Sequence, residues 1–453
     1  MFLSSKLLRT FLKENVRFSI PIVLGQIGQM LFGVSDVLVA GRYSTTVLAA
    51  LGIANGVFAP FFMLGLGIMN SIAPLTAIMH EEKKDPKAKA LAALAPSLWV
   101  ATITALALWL PFFFLTFHLE WFDLAPELQT PCRDYLQIIA FTLFPGFIFQ
   151  ALKEYLQAHS QTFFSNGAIL IFNVTNFGLN IVLMFGLGPF PEMGIKGAAY
   201  ATFITRFGLA LVTLLFILKS HILEQSKNVR EILATFFSFH WRSIAPFFSL
   251  GIPMGMGVLA EVLVFCTVTI LIGRMGAIPA ASHSIVLTLA SLTFMVPLAL
   301  SSTAAVKVAN GFAKNDRELI IGHTISCTFL SFLFMCFSAS VYFSIPGVLL
   351  RFATVDSEVI LFASKLLIIV GLFQIPDGIQ VTLWGALRGI KVTKAPMAIC
   401  LVGHWLIGLP TGYFLAYYLG YGALGLWAGL AIGLYLMALG LSYLFYFRVR
   451  IPS

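Results

Sequence analysis

"IPIVLGQIGQMLFGVSDVLVAGRYS" (20–44) and "IPMGMGVLAEVLVFCTVTILIGRMG" (252–276) lie over one another without a gap. Pro21 meets Pro253, Gly25 meets Gly257, and Gly41-Arg42 meets Gly273-Arg274, all at an offset of 232 residues. Further along, Pro145 pairs with Pro376 and Leu152 with Leu383 at an offset of 231, and GIKG (194–197) echoes GALG (422–425). Any two apolar segments look alike, but proline and glycine punctuation in one register points to an internal duplication.

Each copy is too apolar to be a soluble domain. Of 453 residues, 59% are hydrophobic and 10% charged, against about a quarter charged in an average soluble domain. Apolar runs long enough to cross a bilayer as helices recur along the chain, and the ten-residue alternation of a membrane β-barrel is missing. Twelve spans are expected at about 16–40, 47–79, 90–115, 131–157, 164–186, 194–218, 244–272, 278–309, 319–346, 359–387, 393–419 and 422–446. Lys6, Arg9, Lys13 and Arg17 precede the first span without a small-residue cleavage site, so they read as a cytoplasmic leader. With the N-terminus inside, 21 of the 28 lysines and arginines fall on the cytoplasmic side, as the positive-inside rule asks. Both termini are then cytoplasmic. The net charge of +9 becomes a topology signal, and no nucleic-acid partner is expected.

The polar stretch 219–243 divides the spans six and six. The expected architecture is an all-α membrane protein of twelve transmembrane helices in two six-helix lobes. The lobes, 1–218 and 244–453 with the cytoplasmic linker 219–243 between them, should be related by a pseudo-two-fold axis along the membrane normal, because an even number of spans keeps both copies in one orientation.

Of nineteen acids, Asp36, Glu261 and Asp377 fall well inside spans. A charge there costs roughly 3 kcal/mol on insertion scales, so such residues face the bundle interior and mark ion pathways by default. The bland alternative is a helix–helix hydrogen bond. Asp377 follows Pro376 in "GLFQIPDGIQVTLWGALRG" (371–389). A proline has no N–H to give the carbonyl of Leu372, so the helix can bend there as a hinge, and bent helices that expose carbonyls are one way transporters build cation sites. Gln374, Asp377 and Gln380 recur every three residues and share one side of that helix.

Span 5 carries Asn173, Asn176 and Asn180 on one face, and Gln29 lies two turns before Asp36 on span 1. Amides with a carboxylate make a reasonable hard-cation site, although asparagine also serves helix packing in membranes. Arg206, midway along span 6, is expected to pair with Asp36 or to snorkel. His283 and His404 read as packed polar residues, and the five scattered cysteines as core. Gly425, Gly429 and Gly433 should let a neighbouring helix come close. No Gly-Lys pair occurs anywhere, so a Walker phosphate loop is excluded. No loop carries a catalytic constellation, so no enzyme and no cofactor is expected.

The chain resembles the multidrug and toxic compound extrusion (MATE) transporters, in their bacterial NorM-like branch. The resemblance rests on "FGVSDVLVAGRYSTTVLAALGIA" (32–54), "NFGLN" (176–180), Glu261 and "PDGIQVTLWGALRG" (376–389). It implies two lobes that alternate access and export organic cations or amphipathic drugs against Na+ or H+. Carried over by position, Asp36, Asn176 and Asn180, with Thr202 as a weaker match, correspond to an N-lobe cation site. Glu261 and Asp377 correspond to a C-lobe acidic pair. If Na+ is the coupling ion, Asp36, Glu261 and Asp377 are its expected ligands. The expected setting is a bacterial inner membrane, with the protein as a monomer among lipid. A lipid-linked precursor flippase of the same superfamily and a polytopic membrane enzyme are the competing readings. The first would want several cations in its cavity, the second reactive residues in an interfacial loop.

Overall fold

A computed structural model describes residues 5–82, 86–122, 126–220 and 239–450. Every regular element among them is helical. Eleven helices are long and apolar enough to cross a membrane, and one bent pair brings the count to twelve. The first six crossings are Leu7–Tyr43, Thr45–Glu81, Ala93–Leu115, the pair Pro126–Ala140 with Leu143–Ala158, Thr162–Phe185 and Ile195–Lys219. The second six are Trp241–Gly273, Ala277–Ala313, Arg317–Ser344, Ser357–Gly389, Lys394–Tyr418 and Gly422–Val449. They follow the spans expected from hydropathy. Most of the 219–243 linker lies outside the described residues.

The chain forms two compact units, Leu24–Gly255 and Met1–Val23 with Met256–Ser453. The dividing points fall inside the first helix and inside Trp241–Gly273, so each of these helices contributes to both units. The Leu24–Gly255 unit is centred on Leu51, Phe112, Tyr135, Phe147, Met184 and Phe247. The other unit is centred on Val264, Ile272, Val286, Leu366, Trp427 and Leu430. In the latter, Phe11 of the N-terminal segment lies against Gly322 and His323, and Asn15 hydrogen-bonds Ser326 and His323.

The duplication reappears in the backbone. Ser160 and Lys391, 231 positions apart, both have φ +61° in the left-handed position that follows a helix C-cap. Gly194 and Gly422 have φ +51° and +56° at the start of the helices that follow. Three residues on from these, Gly197 approaches the Leu183 carbonyl carbon and Gly425 the Ala416 nitrogen, each at 2.6 Å from where a Cβ would sit. Gly429 and Gly433 meet Gly412 and Gly403 still more tightly, which is the close packing expected of that glycine spacing.

The two paired prolines behave differently. Pro145 follows a 43° break between Ala140 and Leu143. Pro376 sits in a helix that runs unbroken from Ser357 to Gly389. The Leu372 carbonyl that it deprives accepts a hydrogen bond from Tyr435 Oη at 3.2 Å. The expectation that this carbonyl is exposed as a cation ligand is therefore corrected: a phenol takes the place of the missing N–H.

Candidate functional site

In the Leu24–Gly255 unit, three helices bring oxygen and amide groups to Asp36. Leu7–Tyr43 carries the carboxylate, with the residue 5% exposed. Thr162–Phe185 presents Asn180, whose Nδ2 donates to Asp36 Oδ1 at 2.6 Å and to Asn176 Oδ1 at 3.3 Å. Ile195–Lys219 presents Thr202, whose hydroxyl donates to Asp36 Oδ2 at 3.3 Å. The spacing that put Asn176 and Asn180 on one helical face thus brings Asn180 to the carboxylate and Asn176 to Asn180. Asn180 Oδ1 and Asn176 Nδ2 are buried without hydrogen-bond partners. A buried acceptor left unpaired is costly, and hard oxygen donors around a carboxylate suit a monovalent or divalent cation.

Other residues of the expected cluster lie elsewhere. Asn173 Nδ2 donates to the Gly28 and Ile169 carbonyls, at 2.8 and 2.9 Å. Gln29 bonds Gln150 and Lys153 instead of joining Asp36. Arg206 neither snorkels nor closes a direct ion pair with Asp36 among the described contacts. Its Nη1 donates to Thr142 Oγ1 at 2.8 Å, at the break before Pro145, and its guanidinium lies 4.4 Å from the Phe62 ring centroid. From there it still acts electrostatically on Asp36.

In the other unit, Asp377 is 6% exposed and within electrostatic reach of Glu261. Cys400, on Lys394–Tyr418, feels the same Glu261 and places its sulfur by the Gly257 carbonyl. Gln374 and Gln380 are each 1% exposed. Gln374 Nε2 donates to Thr293 Oγ1 at 2.6 Å, while Gln374 Oε1 and Gln380 Nε2 have no partner. This gives two carboxyls with amides along one side of a helix. Among the described residues no three His, Cys, Asp or Glu cluster to hold a metal ion. His283 is a packed polar residue: Trp427 Nε1 donates to its Nδ1 at 3.1 Å, so its Nε2 carries the hydrogen given to Thr269 at 2.9 Å.

Sequence reasoning missed Lys153 and Glu154, which are 1% and 3% exposed. The signal was present as a Lys-Glu pair at the end of an apolar run, where it reads as the membrane edge.

The MatE family model matches residues 21–185 and 253–414. The chain belongs to the MatE family. The two matched blocks begin 232 residues apart, in the register of the duplication. A Rhizobium meliloti protein described as a probable multidrug resistance protein NorM is 30% identical over 97% of this chain and 94% of its own length. A Bacillus licheniformis protein of the same description is 28% identical, over 97% and 96%. Among solved structures, the eukaryotic MATE transporter AtDTX14 matches with a TM-score of 0.83 at 18% identity, covering 97% of this chain and 96% of that one. The Vibrio cholerae MATE transporter VcmN in its bent form matches at 0.81 and 17%, covering 98% of each. At such identities the structures speak for the fold. This MatE protein is thus a transporter with a multi-pass helical membrane fold, not an enzyme.

Proposed function

We propose that this MatE protein is a secondary active exporter of organic cations and amphipathic drugs, driven by entry of Na+ or H+ across a bacterial inner membrane. Both termini lie in the cytoplasm, and the protein works as a monomer. The observation that carries the reading is the convergence of Asn180 and Thr202 on Asp36, with an unpaired Asn180 oxygen beside it. The names borne by the relatives agree with drug export.

In this reading Asp36, Asn176, Asn180 and Thr202 hold the coupling cation or proton in one lobe. Glu261 and Asp377 do so in the other, with Gln374 and Gln380 as flanking amides and the Pro376 segment as the hinge. Two carboxyls in a low-dielectric setting resist joint ionisation, so they share a proton or a metal cation. Drug and ion then compete, and each lowers the other's affinity by one reciprocal coupling free energy. The flippase reading gains nothing from Arg206 and Lys153, because Asp36 and Glu154 balance them.

Everted membrane vesicles supplied with a fluorescent cationic dye on the outside, the former cytoplasmic face, test the reading under a pH gradient alone and a Na+ gradient alone. Dye movement under one of the two is expected. Movement under neither, with the protein present in the membrane, overturns it.

A further inference from the structure

Tyr43 ends the helix that carries Asp36. Its phenol donates to Glu192 Oε1 at 2.7 Å, and its ring meets that of Phe185 edge-on, with centroids 5.3 Å apart. Phe185 ends the helix that carries Asn180, and Glu192 lies just before Ile195, where the helix that carries Thr202 begins. One hydrogen bond and one ring contact thus tie together the ends of the three helices that meet at Asp36. A hydroxyl donating to a carboxylate is among the stronger hydrogen bonds a protein makes. Two helical turns, about 10 Å, separate Tyr43 from Asp36. Val39 and Ala40 in that interval are 3% and 0% exposed, and they pack in one cluster with Met184, Ile195 and Ala198, with Tyr43 against it. An apolar plug therefore lies between the carboxylate and the helix ends, and the tie closes over it.

The repeat separates the tie from the joint it spans. At the offset of 232, Tyr43 corresponds to Met275, and at the 228 that aligns GIKG with GALG, Glu192 corresponds to Gly420. The joint itself is built alike in both halves. A Cβ on Gly194 would lie 3.1 Å from Tyr43 Oη, and one on Gly422 would lie 3.9 Å from Met275 Sδ. Neither a thioether nor a glycine can donate a side-chain hydrogen, so no such bond forms between Met275 and Gly420. A tie needed merely to build the joint would be needed in both halves.

We propose that Tyr43 and Glu192 are positioning residues that gate the Asp36 site: their hydrogen bond holds the apolar plug shut, and an ion passes between Asp36 and the outer face only while it is broken. A cation stripped of water cannot cross an intact apolar cluster at tolerable cost, so the helix ends must part to admit it. The inference rests on the reading of Asp36 as an ion-coupling residue and adds the groups that control its exchange with the outside.

The test is the rate at which a charged methanethiosulfonate labels Ala40→Cys in purified full-length protein, read site by site by peptide mass spectrometry. Ala40 stands one turn from Asp36 within the plug. Tyr43→Phe keeps the ring and removes the hydrogen bond, so labelling at position 40 should become roughly fivefold faster, the factor that one ordinary hydrogen bond supplies. Glu192→Ala should do the same, and the two together no more than either. Glu192→Gln keeps an acceptor and should leave the rate near that of the parent. Native Cys132, 0% exposed in the same unit, reports general loosening and should stay unlabelled throughout. Ala198→Cys, one turn before Thr202, serves in place of Ala40→Cys if the latter does not fold. An unchanged rate in Tyr43→Phe overturns the gate, and so does equal acceleration at Cys132; either leaves the tie as a structural contact. Nothing is transported in this measurement, so its failure is distinct from failure of the export reading, which the dye assay reports.

Discussion

Tyr435 donates its phenolic hydrogen to the carbonyl of Leu372 at 3.2 Å, the group that Pro376 leaves without a helical partner four residues later. The proline therefore interrupts the ladder without breaking the helix. A substituted donor of this kind is worth about 1 kcal/mol. Tyr435→Phe should lower stability by about that much in the wild type, and by less in Pro376→Ala, where the restored N–H serves Leu372. A double-mutant cycle of thermal unfolding reads the difference. Additive effects would mean that the phenol does not stand in for the amide.

Asp36→Asn keeps an oxygen for Asn180 and a polar group for Thr202, so it should fold with a cost of no more than about 1 kcal/mol. Coupled efflux should nevertheless be lost, since the exchanged charge is gone. Dye export at equal expression is the measurement, and wild-type rates would assign Asp36 to packing.

Asp377→Asn is nearly isosteric. With a typical coupling free energy of ~2 kcal/mol, the drug–ion antagonism should weaken roughly thirtyfold. Drug titrations of purified protein across pH 5 to 9, with and without Na+, would read it. Glu261→Gln should behave alike, because the two carboxyls feel one another.

Gly197→Ala and Gly425→Ala each drive a methyl to 2.6 Å from backbone. Overpacking of this kind costs typically 1–3 kcal/mol, and both should lower the melting temperature. Gly178→Ala, which meets nothing within 4 Å, should be neutral or stabilising through helix propensity.

His159, just past the helix end at Ala158, has its pKa pushed down to about 4 by burial, against a hydrogen bond to the Tyr155 carbonyl that favours the charged ring. The unfolded chain binds the extra proton first. Its neutral ring therefore contributes fully above about pH 6.5, and the contribution is lost as pH falls through 4. Relative to His159→Gln, wild-type stability should fall on acidification through that window. Parallel pH curves for the two proteins would contradict this.

The crossings and the Asp36 cluster were legible because each rests on a local period: apolar length for the spans, and i, i+4 spacing for Asn176 and Asn180. Relations that depend on distant partners were not. Pro145 and Pro376 look equivalent in the repeat, yet only the second is met by a tyrosine 63 residues from the carbonyl it frees. Gln29 shares a helical face with Asp36 but turns to Gln150 and Lys153, because the neighbouring helix offers partners there. Arg206 found Thr142 and Phe62, which no pattern in its own span announces.

The assignment of the first helix to two units also bears on synthesis. Residues 24–255 form one uninterrupted stretch, so that unit has all its own parts once residue 255 has emerged. Residues 5–23 are made before that unit but pack with chain made after it, as Phe11 does against Gly322. Their closure spans some three hundred residues, a separation whose entropic cost grows only slowly with length but which delays the contact. The opening segment of the protein thus waits, with Phe11 and Asn15 unmatched, until the ninth crossing has been delivered to it.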